Sequence, residues 1–279
     1  MRFTKMQGAG NDFIVINNMA LKLPLEKLPD MARKLCERRV SIGANALMVA
    51  DFPEKGGDFQ MRFYNADGTI AEMCGNGARC IARYAYENGF ARESMTIETV
   101  AGPVLAWRQD KRNYKIKLND PGVLKLDYPV EAGGENWECA YVELGNPGIP
   151  HAVARYPGLA DKTEDELRAL GRELRYHSAF PKGANVNFYD VVSGNDVVEK
   201  TYERGVEDFT LACGTGSGST AAVLTLLGKV PGPTVHLSVP GGDLWVEVER
   251  TGERVTGLCL IGDTNIVAEG EIMDEDLVL

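Results

Sequence analysis

The sequence predicts an α+β protein of two similar domains, each a curved, mainly antiparallel sheet around a helix. Two observations carry this prediction. Short apolar segments of strand length outnumber the helical patterns. In addition, two stretches read alike, because a cysteine followed by Gly-x-Gly leads into a helical pattern at Cys74 and again at Cys213. The 279 residues are enough for two domains of ordinary size.

The first predicted domain covers residues 1–117 together with 265–279. Leu25 to Arg38 has apolar residues at helical spacing, and the apolar pattern from Ala78 to Glu87 ends at Asn88-Gly89. Asn65-Ala66-Asp67-Gly68 is a strong turn signal. Strands are predicted at 13–16, 46–50, 59–64, 95–100, 104–108, 114–118 and 266–272.

The second predicted domain covers residues 118–264 and begins near Asp120-Pro121-Gly122. Thr163 and Glu166 form a capping box that opens a helix to about Tyr176, and a second helix is predicted over Ala221–Leu227. Strands are predicted at 139–144, 186–192, 197–202, 235–237, 244–248 and 255–261. Gly183-Ala184 with Phe188 resembles Gly8-Ala9 with Phe13, but its offset differs from that of the two cysteines, so the sequence does not establish a repeat over the full length.

Composition limits the class of protein and partner. Hydrophobic content of 44% and charged content of 25% are typical of a globular protein with an ample core. The net charge of −10 argues against nucleic acid or an anionic membrane as partner, but is compatible with a small anionic ligand. No apolar run reaches the roughly 18 residues of a membrane span, and the start lacks a signal-peptide pattern. We therefore expect a cytoplasmic protein.

The cysteines are too sparse for a disulfide framework, since the chain has only six of them. None belongs to a C-x-x-C pair and the three histidines are scattered, so no metal site is predicted. Packing explains the cysteines that lie in apolar-periodic segments, namely Cys36, Cys80, Cys139 and Cys259.

The two Cys-Gly-x-Gly turns can support chemistry. Their glycines leave backbone N–H groups open at a helix start, where these groups and the helix dipole hold a carboxylate and lower the pKa of a thiol. Two such turns suggest two thiols facing one anionic ligand. A thiolate on one side of an amino acid and a thiol on the other can remove and return a proton at one carbon without a cofactor. The alternative is that Cys74 and Cys213 are inert buried residues.

Six motifs occur in the order found in the diaminopimelate epimerase family, which this chain resembles from Gln7 to about Glu271. They are Asn11-Asp12-Phe13, Asn65-Ala66-Asp67-Gly68, Met73 to Cys80, Asn185-Val186-Asn187-Phe188, Glu203-Arg204-Gly205-Val206 and Ala212 to Gly216. The resemblance implies a two-base epimerase without cofactor or metal, with its active site in the cleft between two domains. Its partner is then a small amino acid substrate.

The resemblance also implies roles for individual residues. Cys74 and Cys213 match the acid and base cysteines, and His151 with Glu203 matches the polar pair beside them. The amides of Gly75, Asn76, Gly214 and Thr215 match those that hold the reacting carboxylate. The substrate-binding residues match Asn11, Asn65, Asn185, Glu203 and Arg204. Each residue also has an alternative interpretation: Asn65 as a turn former and Glu203-Arg204 as a solvated ion pair. Taken alone, His151 is more often structural than catalytic, and only the resemblance favours a catalytic role.

Three positions depart from the family pattern. The family's Gly-Asn-Pro-His is replaced by Gly145-Asn146-Pro147-Gly148-Ile149-Pro150-His151, so either three residues are inserted or Ile149 takes the asparagine's place. Gly43-Ala44-Asn45-Ala46 replaces Gly-Ala-Asp followed by Gln or Gly. Ala268 stands where the family has an interface tyrosine, although the resemblance implies a homodimer.

Other functions stay open at this point. A related racemase of proline, hydroxyproline or histidine keeps the mechanism and changes the substrate; the proline type usually has His at the place of Asn76. Cysteine nucleophilic catalysis with His151 as base leaves one of the two turns unexplained. A non-catalytic binding protein does not need both cysteines. Dinucleotide binding is disfavoured, because Cys80 and Ser219 stand where the third glycine is needed.

Overall fold

The computed structural model describes residues 1–71 and 73–273; Glu72 and the predicted domain end at 274–279 lie outside the described residues. Its helices confirm the predicted ones, although the two cysteine helices begin earlier than predicted. The helices are α1 (Asn18–Leu21), α2 (Leu28–Cys36), α3 (Gly75–Glu87), α4 (Glu164–Arg175) and α5 (Gly214–Leu226), with 3-10 turns at Leu25–Lys27 and Leu159–Asp161.

Strands dominate the fold. They are β1 (Arg2–Gly8), β2 (Asn11–Asn17), β3 (Ala46–Asp51), β4 (Phe59–Asn65), β5 (Ser94–Thr99), β6 (Gly102–Arg108), β7 (Asn113–Leu118), β8 (Pro121–Lys125), β9 (Val130–Ala132), β10 (Glu135–Trp137), β11 (Cys139–Gly145), β12 (Gly148–Arg155), β13 (Asn185–Ser193), β14 (Asp196–Glu203), β15 (Asp208–Thr210), β16 (Thr234–Val239), β17 (Gly242–Thr251), β18 (Arg254–Asp263) and β19 (Asn265–Glu271). All thirteen predicted strands are present. Sequence reasoning missed β1, β8, β9, β10, β12 and β15.

The chain divides into two compact units, one formed by Met1–Ile116 with the segment from Gly262, the other by Lys117–Ile261. In the first unit, β1 pairs antiparallel with β19 and β2. The β2–β3 and β4–β5 pairs are parallel. The β3–β4, β5–β6 and β6–β7 pairs are antiparallel.

The second unit repeats this order of pairings. The β8–β11, β11–β12, β13–β14 and β16–β17 pairs are antiparallel. The β12–β13 and β14–β16 pairs are parallel. The helices match too, because α2 and α4 precede the counterparts β3 and β13, and α3 and α5 follow the counterparts β4 and β14. The two units therefore share one topology over most of their length.

The shared topology corrects one sequence correspondence. Phe13 lies on β2, whereas Phe188 lies on β13, the counterpart of β3. Pairing these two phenylalanines was therefore wrong. The true counterparts are Gly43-Ala44-Asn45 before β3 and Gly183-Ala184-Asn185 at the start of β13.

The cysteine helices form the centre of each unit. In the first unit α3 contacts β1, β2, β3, β5 and β6, and in the second α5 contacts β11, β12, β13 and β17. Every residue from Asn76 to Ala85 and from Gly216 to Thr225 is buried. Each sheet thus surrounds a helix, and this packing outweighs the low helix propensity of the glycines that open it.

The other two long helices cover their sheets with one apolar face. Leu28, Met31, Ala32 and Leu35 of α2 are buried. The Thr163–Glu166 capping box of α4 is present as predicted, and Leu167 and Leu174 are buried beyond it. None of the helices within 1–71 and 73–273 is long and apolar enough to cross a membrane.

Candidate active site

Cys74 is the N-cap of α3. Its backbone is extended, with φ −133° and ψ 122°, and its carbonyl oxygen accepts the first helical bond from the Ala78 N–H at 2.8 Å. The N–H groups before that one have no intrahelical partner. Asn11 places its side-chain nitrogen 3.7 Å from the Cys74 sulfur. The first unit therefore joins Asn11, a thiol and the open amides of Gly75 and Asn76.

A buried cation lies behind this turn. Arg79 is fully buried, and its Nη2 donates to Oδ1 of Asn76 at 2.9 Å. Its Nε and Nη1 have no hydrogen-bond partner among the described residues. Burial lowers the pKa of Arg79, while the thiolate forms of Cys80 and Cys74 and the carboxylate of Asp263 favour its charge. An arginine stays charged in proteins, so this guanidinium favours the thiolate form of nearby cysteines.

Asn65, at the end of β4, takes part in its own turn. Its carbonyl oxygen accepts the Gly68 N–H at 2.9 Å, and its side-chain nitrogen donates to Oγ1 of Thr69 at 3.0 Å. Gly68 has φ +82°, which suits glycine. Asn65 thus makes the contacts expected of a turn-forming residue, which was the alternative to a substrate-binding role.

Cys213 is the N-cap of α5 and has the same backbone form, with φ −119° and ψ 103°. Its sulfur lies 3.6 Å from Oγ1 of Thr215 and accepts a hydrogen bond from the Gly216 N–H. Burial raises the pKa of this thiol well above its usual range, and the carboxyl groups of Glu203 and Glu199 act in the same direction. Cys213 is therefore held as a protonated thiol.

Glu203 and Arg204 follow each other at the end of β14 but differ in environment. Burial raises the pKa of Glu203, whose Oε2 accepts a hydrogen bond from Thr210 at 2.9 Å. Arg204 is exposed, and its Nη1 donates to the Lys182 carbonyl oxygen at 3.1 Å. Asn185 accepts the Arg204 backbone N–H at 2.7 Å. It thereby fixes the end of β14 against the start of β13.

His151 is completely buried on β12. Its Nδ1 lies 3.2 Å from Nδ2 of Asn187, one strand away. Burial lowers the pKa of His151 to about 3, and the positive charge of Arg204 lowers it further, against the hydrogen bond with Asn187. The imidazole is therefore neutral at physiological pH.

A buried carboxyl group lies beneath α5. Glu199 is fully buried, and its two oxygens accept hydrogen bonds from Ser217 and Thr220 of α5, both at 2.5 Å. Burial raises the pKa of Glu199 to about 7, although both hydroxyl groups favour the ionised form. Sequence reasoning missed Glu199, Arg79 and Asn187. The signal for Glu199 was present, because the period of two along β14 places it on the same face as the buried Val197 and Thr201.

The structure shows where the three departures from the family pattern lie. Gly145 pairs with Gly148, so Asn146 and Pro147 are the two turn residues of the β11–β12 hairpin. Ile149 is 39% exposed. Asn45 accepts the Asp12 backbone N–H at 3.2 Å through Oδ1. Ala268, on β19, pairs with Lys5.

The candidate residues fall into two sets. The first unit holds Asn11, Asn65, Cys74, Gly75 and Asn76, and the second holds His151, Asn185, Glu203, Arg204, Cys213, Gly214 and Thr215. Within the described residues no group of three His, Cys, Asp or Glu side chains is arranged to hold a metal ion.

Comparison with known proteins decides the family. The family model described as diaminopimelate epimerase matches residues 3–122 and 144–267. The chain belongs to the diaminopimelate epimerase family. A relative named diaminopimelate epimerase from Aquifex aeolicus is 36% identical, with 99% of each chain covered. A second, from Methanothrix thermoacetophila, is 34% identical, with 99% of this chain and 98% of the relative covered. As a member of this family, the protein is an isomerase.

Solved structures share the fold. A Bacillus anthracis phenazine biosynthesis protein of the PhzF family matches with a TM-score of 0.74 at 16% identity, covering 98% of this chain and 99% of the other. A probable proline racemase from Agrobacterium radiobacter matches with a TM-score of 0.69 at 17% identity, covering 99% and 94%. At these identities the likeness concerns the fold alone.

Proposed function

We propose that this protein interconverts LL- and meso-2,6-diaminopimelate by two-base proton transfer at the α-carbon, in the formation of lysine and peptidoglycan precursors. The observation that carries the proposal is the pair of matched turns, in which Cys74 and Cys213 each cap a helix whose first amides are open. The substrate is the one in the names of the full-length relatives.

The proton transfer balances without a cofactor. One cysteine thiolate takes the α-proton and becomes a thiol, while the electron pair left on carbon spreads into the adjacent carboxylate. The thiol of the other cysteine then delivers a proton to the opposite face and becomes a thiolate. The amides of Gly75, Asn76, Gly214 and Thr215 stabilise the carboxylate as its charge increases, because they are oriented before the reaction.

This mechanism requires both thiols to reach one carbon, although they belong to different compact units. We propose that they meet in the cleft between these units, and that it closes on substrate and excludes water from the weakly acidic C–H bond. Small-angle scattering with and without a tight substrate analogue tests this step. A smaller radius of gyration with the analogue is expected, and identical profiles contradict closure.

The second amino acid centre of diaminopimelate distinguishes it from other substrates. Asn65, Asn185 and Arg204 are proposed to bind its carboxylate and Glu203 its ammonium group. Because Arg204 is exposed in the structure, we expect Arg204→Met to reduce kcat/KM for diaminopimelate by about 10- to 100-fold, the range of a hydrogen bond to a charged group. The same variant should reduce the preference for diaminopimelate over lysine.

A substrate panel tests the proposed function. Epimerisation rates are measured by chiral chromatography for diaminopimelate, lysine, histidine and proline. Diaminopimelate is expected to react fastest by several orders of magnitude, since polar groups built for a charged end are left unpaired by the other substrates. Equal or faster turnover of lysine, histidine or proline contradicts the assignment.

A further inference from the structure

The side chain of Asn187 is fixed by three partners inside the second unit. Its Nδ2 lies 3.2 Å from the Ala152 carbonyl oxygen and 3.2 Å from Nδ1 of His151. Its Oδ1 accepts a hydrogen bond from the Thr201 hydroxyl at 3.0 Å. Asn187 and His151 are both completely buried, so water does not compete for these bonds.

These contacts determine the protonated nitrogen of His151. A carbonyl oxygen only accepts hydrogen bonds, so the atom of Asn187 that faces Ala152 is the amide nitrogen. The same nitrogen faces Nδ1 of His151, and an amide nitrogen only donates. Nδ1 therefore accepts, and the proton of the neutral imidazole lies on Nε2.

The other ring nitrogen has no partner. Nε2 of His151 is buried without a hydrogen-bond partner among the described residues. Leaving a buried N–H unpaired costs about 1–3 kcal/mol, so such a group is usually explained by a ligand or a bound water. Asn187, the partner of His151, lies against the Cys213 turn, because a Cβ on Gly216 would approach Oδ1 of Asn187 to 2.2 Å.

We propose that Asn187 is a positioning residue that holds His151 in the neutral Nε2–H tautomer, so that His151 donates a hydrogen bond to the substrate and takes no proton. This role rests on the proposed function and deepens it. An Nε2–H donor suits a carboxylate oxygen and not an ammonium group. It leaves proton transfer at the α-carbon to the two cysteines, since a second buried base in the same unit would compete with Cys213 for the proton.

The test is the tautomer itself, measured by long-range ¹H–¹⁵N correlation spectra of protein labelled with ¹⁵N-histidine. His151 is expected to show a protonated Nε2 and an unprotonated Nδ1 from pH 5 to pH 9, without titration. The other two histidines provide internal standards. Nδ1 of His177 accepts the Ala179 N–H at 3.1 Å, whereas His236 lies between two carboxyl groups.

Asn187→Asp sharpens the test. A carboxylate accepts from Nδ1, so this variant should move the proton to Nδ1 or give an imidazolium, and kcat should fall about 100-fold with a smaller change in KM. Thr201→Val is the matched control: it removes a partner of Asn187 but keeps the Ala152 contact, so the Nε2–H tautomer is expected to remain.

Two results overturn the proposal. One is an Nδ1–H or charged His151 in the wild type at neutral pH. The other is an unchanged tautomer in folded Asn187→Asp. If that variant does not fold, the wild-type spectrum decides alone. The spectra are recorded without substrate, so they test the tautomer independently of the substrate panel, which tests the proposed function.

Discussion

The Cys74 and Cys213 turns have the same backbone but different ionisable groups beneath them, a guanidinium in one and carboxyl groups in the other. Both cysteines are extended N-caps of helices surrounded by a sheet, and the strand pairings around them follow one order. Yet the buried charge behind Cys74 is the guanidinium of Arg79, whereas carboxyl groups of Glu203 and Glu199 act on Cys213. A repeated fold thus provides two equivalent positions, and we propose that the different side chains beneath them make the Cys74 thiol the base and the Cys213 thiol the acid.

The largest effect is expected from removing either thiol. Cys74→Ala and Cys213→Ala should each reduce epimerisation by at least 100- to 10,000-fold, the usual contribution of a general acid or base, while circular dichroism shows an intact fold. Cys139→Ala is the control, because Cys139 is buried in the core of the second unit. If Cys74→Ala or Cys213→Ala keeps near-wild-type activity, the two turns do not have the equivalent catalytic importance proposed here.

The next effect concerns the carboxyl group under α5. The pKa of Glu199 is raised to about 7, so the folded state holds a proton that the unfolded state releases. The stability of the wild type therefore falls as pH rises from about 4.5 to 7. Glu199→Gln has no such carboxyl group and does not lose this stability. The difference in unfolding free energy between the variant and the wild type should therefore be about 2 to 3 kcal/mol larger, in favour of the variant, at pH 8 than at pH 5.

Urea denaturation of both proteins at the two pH values measures this gain. Glu135→Gln, at an exposed position, controls for the loss of one negative charge. A gain for Glu199→Gln that is equal at pH 5 and pH 8 means that Glu199 binds its proton equally in the folded and unfolded states, which contradicts its raised pKa.

A smaller effect is expected from the cation of the first turn. Arg79→Met removes a charge that favours the Cys74 thiolate, so alkylation of Cys74 by iodoacetamide at pH 7 should slow about tenfold, equal to one pKa unit. The rate at Cys213 should not change. Peptide mapping by mass spectrometry follows both sites, and Arg83→Met, one helical turn further along α3, is the control. Faster labelling of Cys213 than of Cys74 in the wild type contradicts the assigned asymmetry.

The smallest effect lies in the β16–β17 hairpin, whose counterpart in the first unit is β5–β6. His236 bonds Asp196 and Asp243, both at 2.9 Å, and these carboxyl groups raise its pKa. The stabilisation is complete below the unfolded pKa and is lost as pH rises through the folded pKa. His236→Asn should cost no more than about 1 kcal/mol at pH 5, because the pair is partly exposed, and nothing at pH 9. An equal cost at both pH values contradicts the ion pair.

Local patterns in the sequence predicted much of the fold and less of the site. The capping box at Thr163 and the turn at Asn65 were predictable, because each depends on neighbouring residues. Strand β12 was missed because Gly148 and Pro150 interrupt its pattern, and pairing with β11 and β13 overrides them.

The partners of buried polar groups were not predictable. Asn187 meets His151 and Thr201 only through strand register, and Glu199 meets Ser217 only through packing of α5 on the sheet. These contacts join residues far apart in sequence, so no local pattern records them. The same holds for the difference between the two turns, which appears only when the groups beneath each helix are known.

The most direct test of the account follows deuterium during the first turnovers in D₂O. With two opposed thiols, LL-diaminopimelate loses its proton to one cysteine and receives a deuteron from the other. The meso product formed first should therefore carry deuterium at the inverted carbon, while the remaining substrate stays unlabelled. Mass spectrometry of the separated isomers measures both. If the early product retains hydrogen, or if label enters the substrate as fast as the product, a single base serves both faces and the two-turn account is wrong.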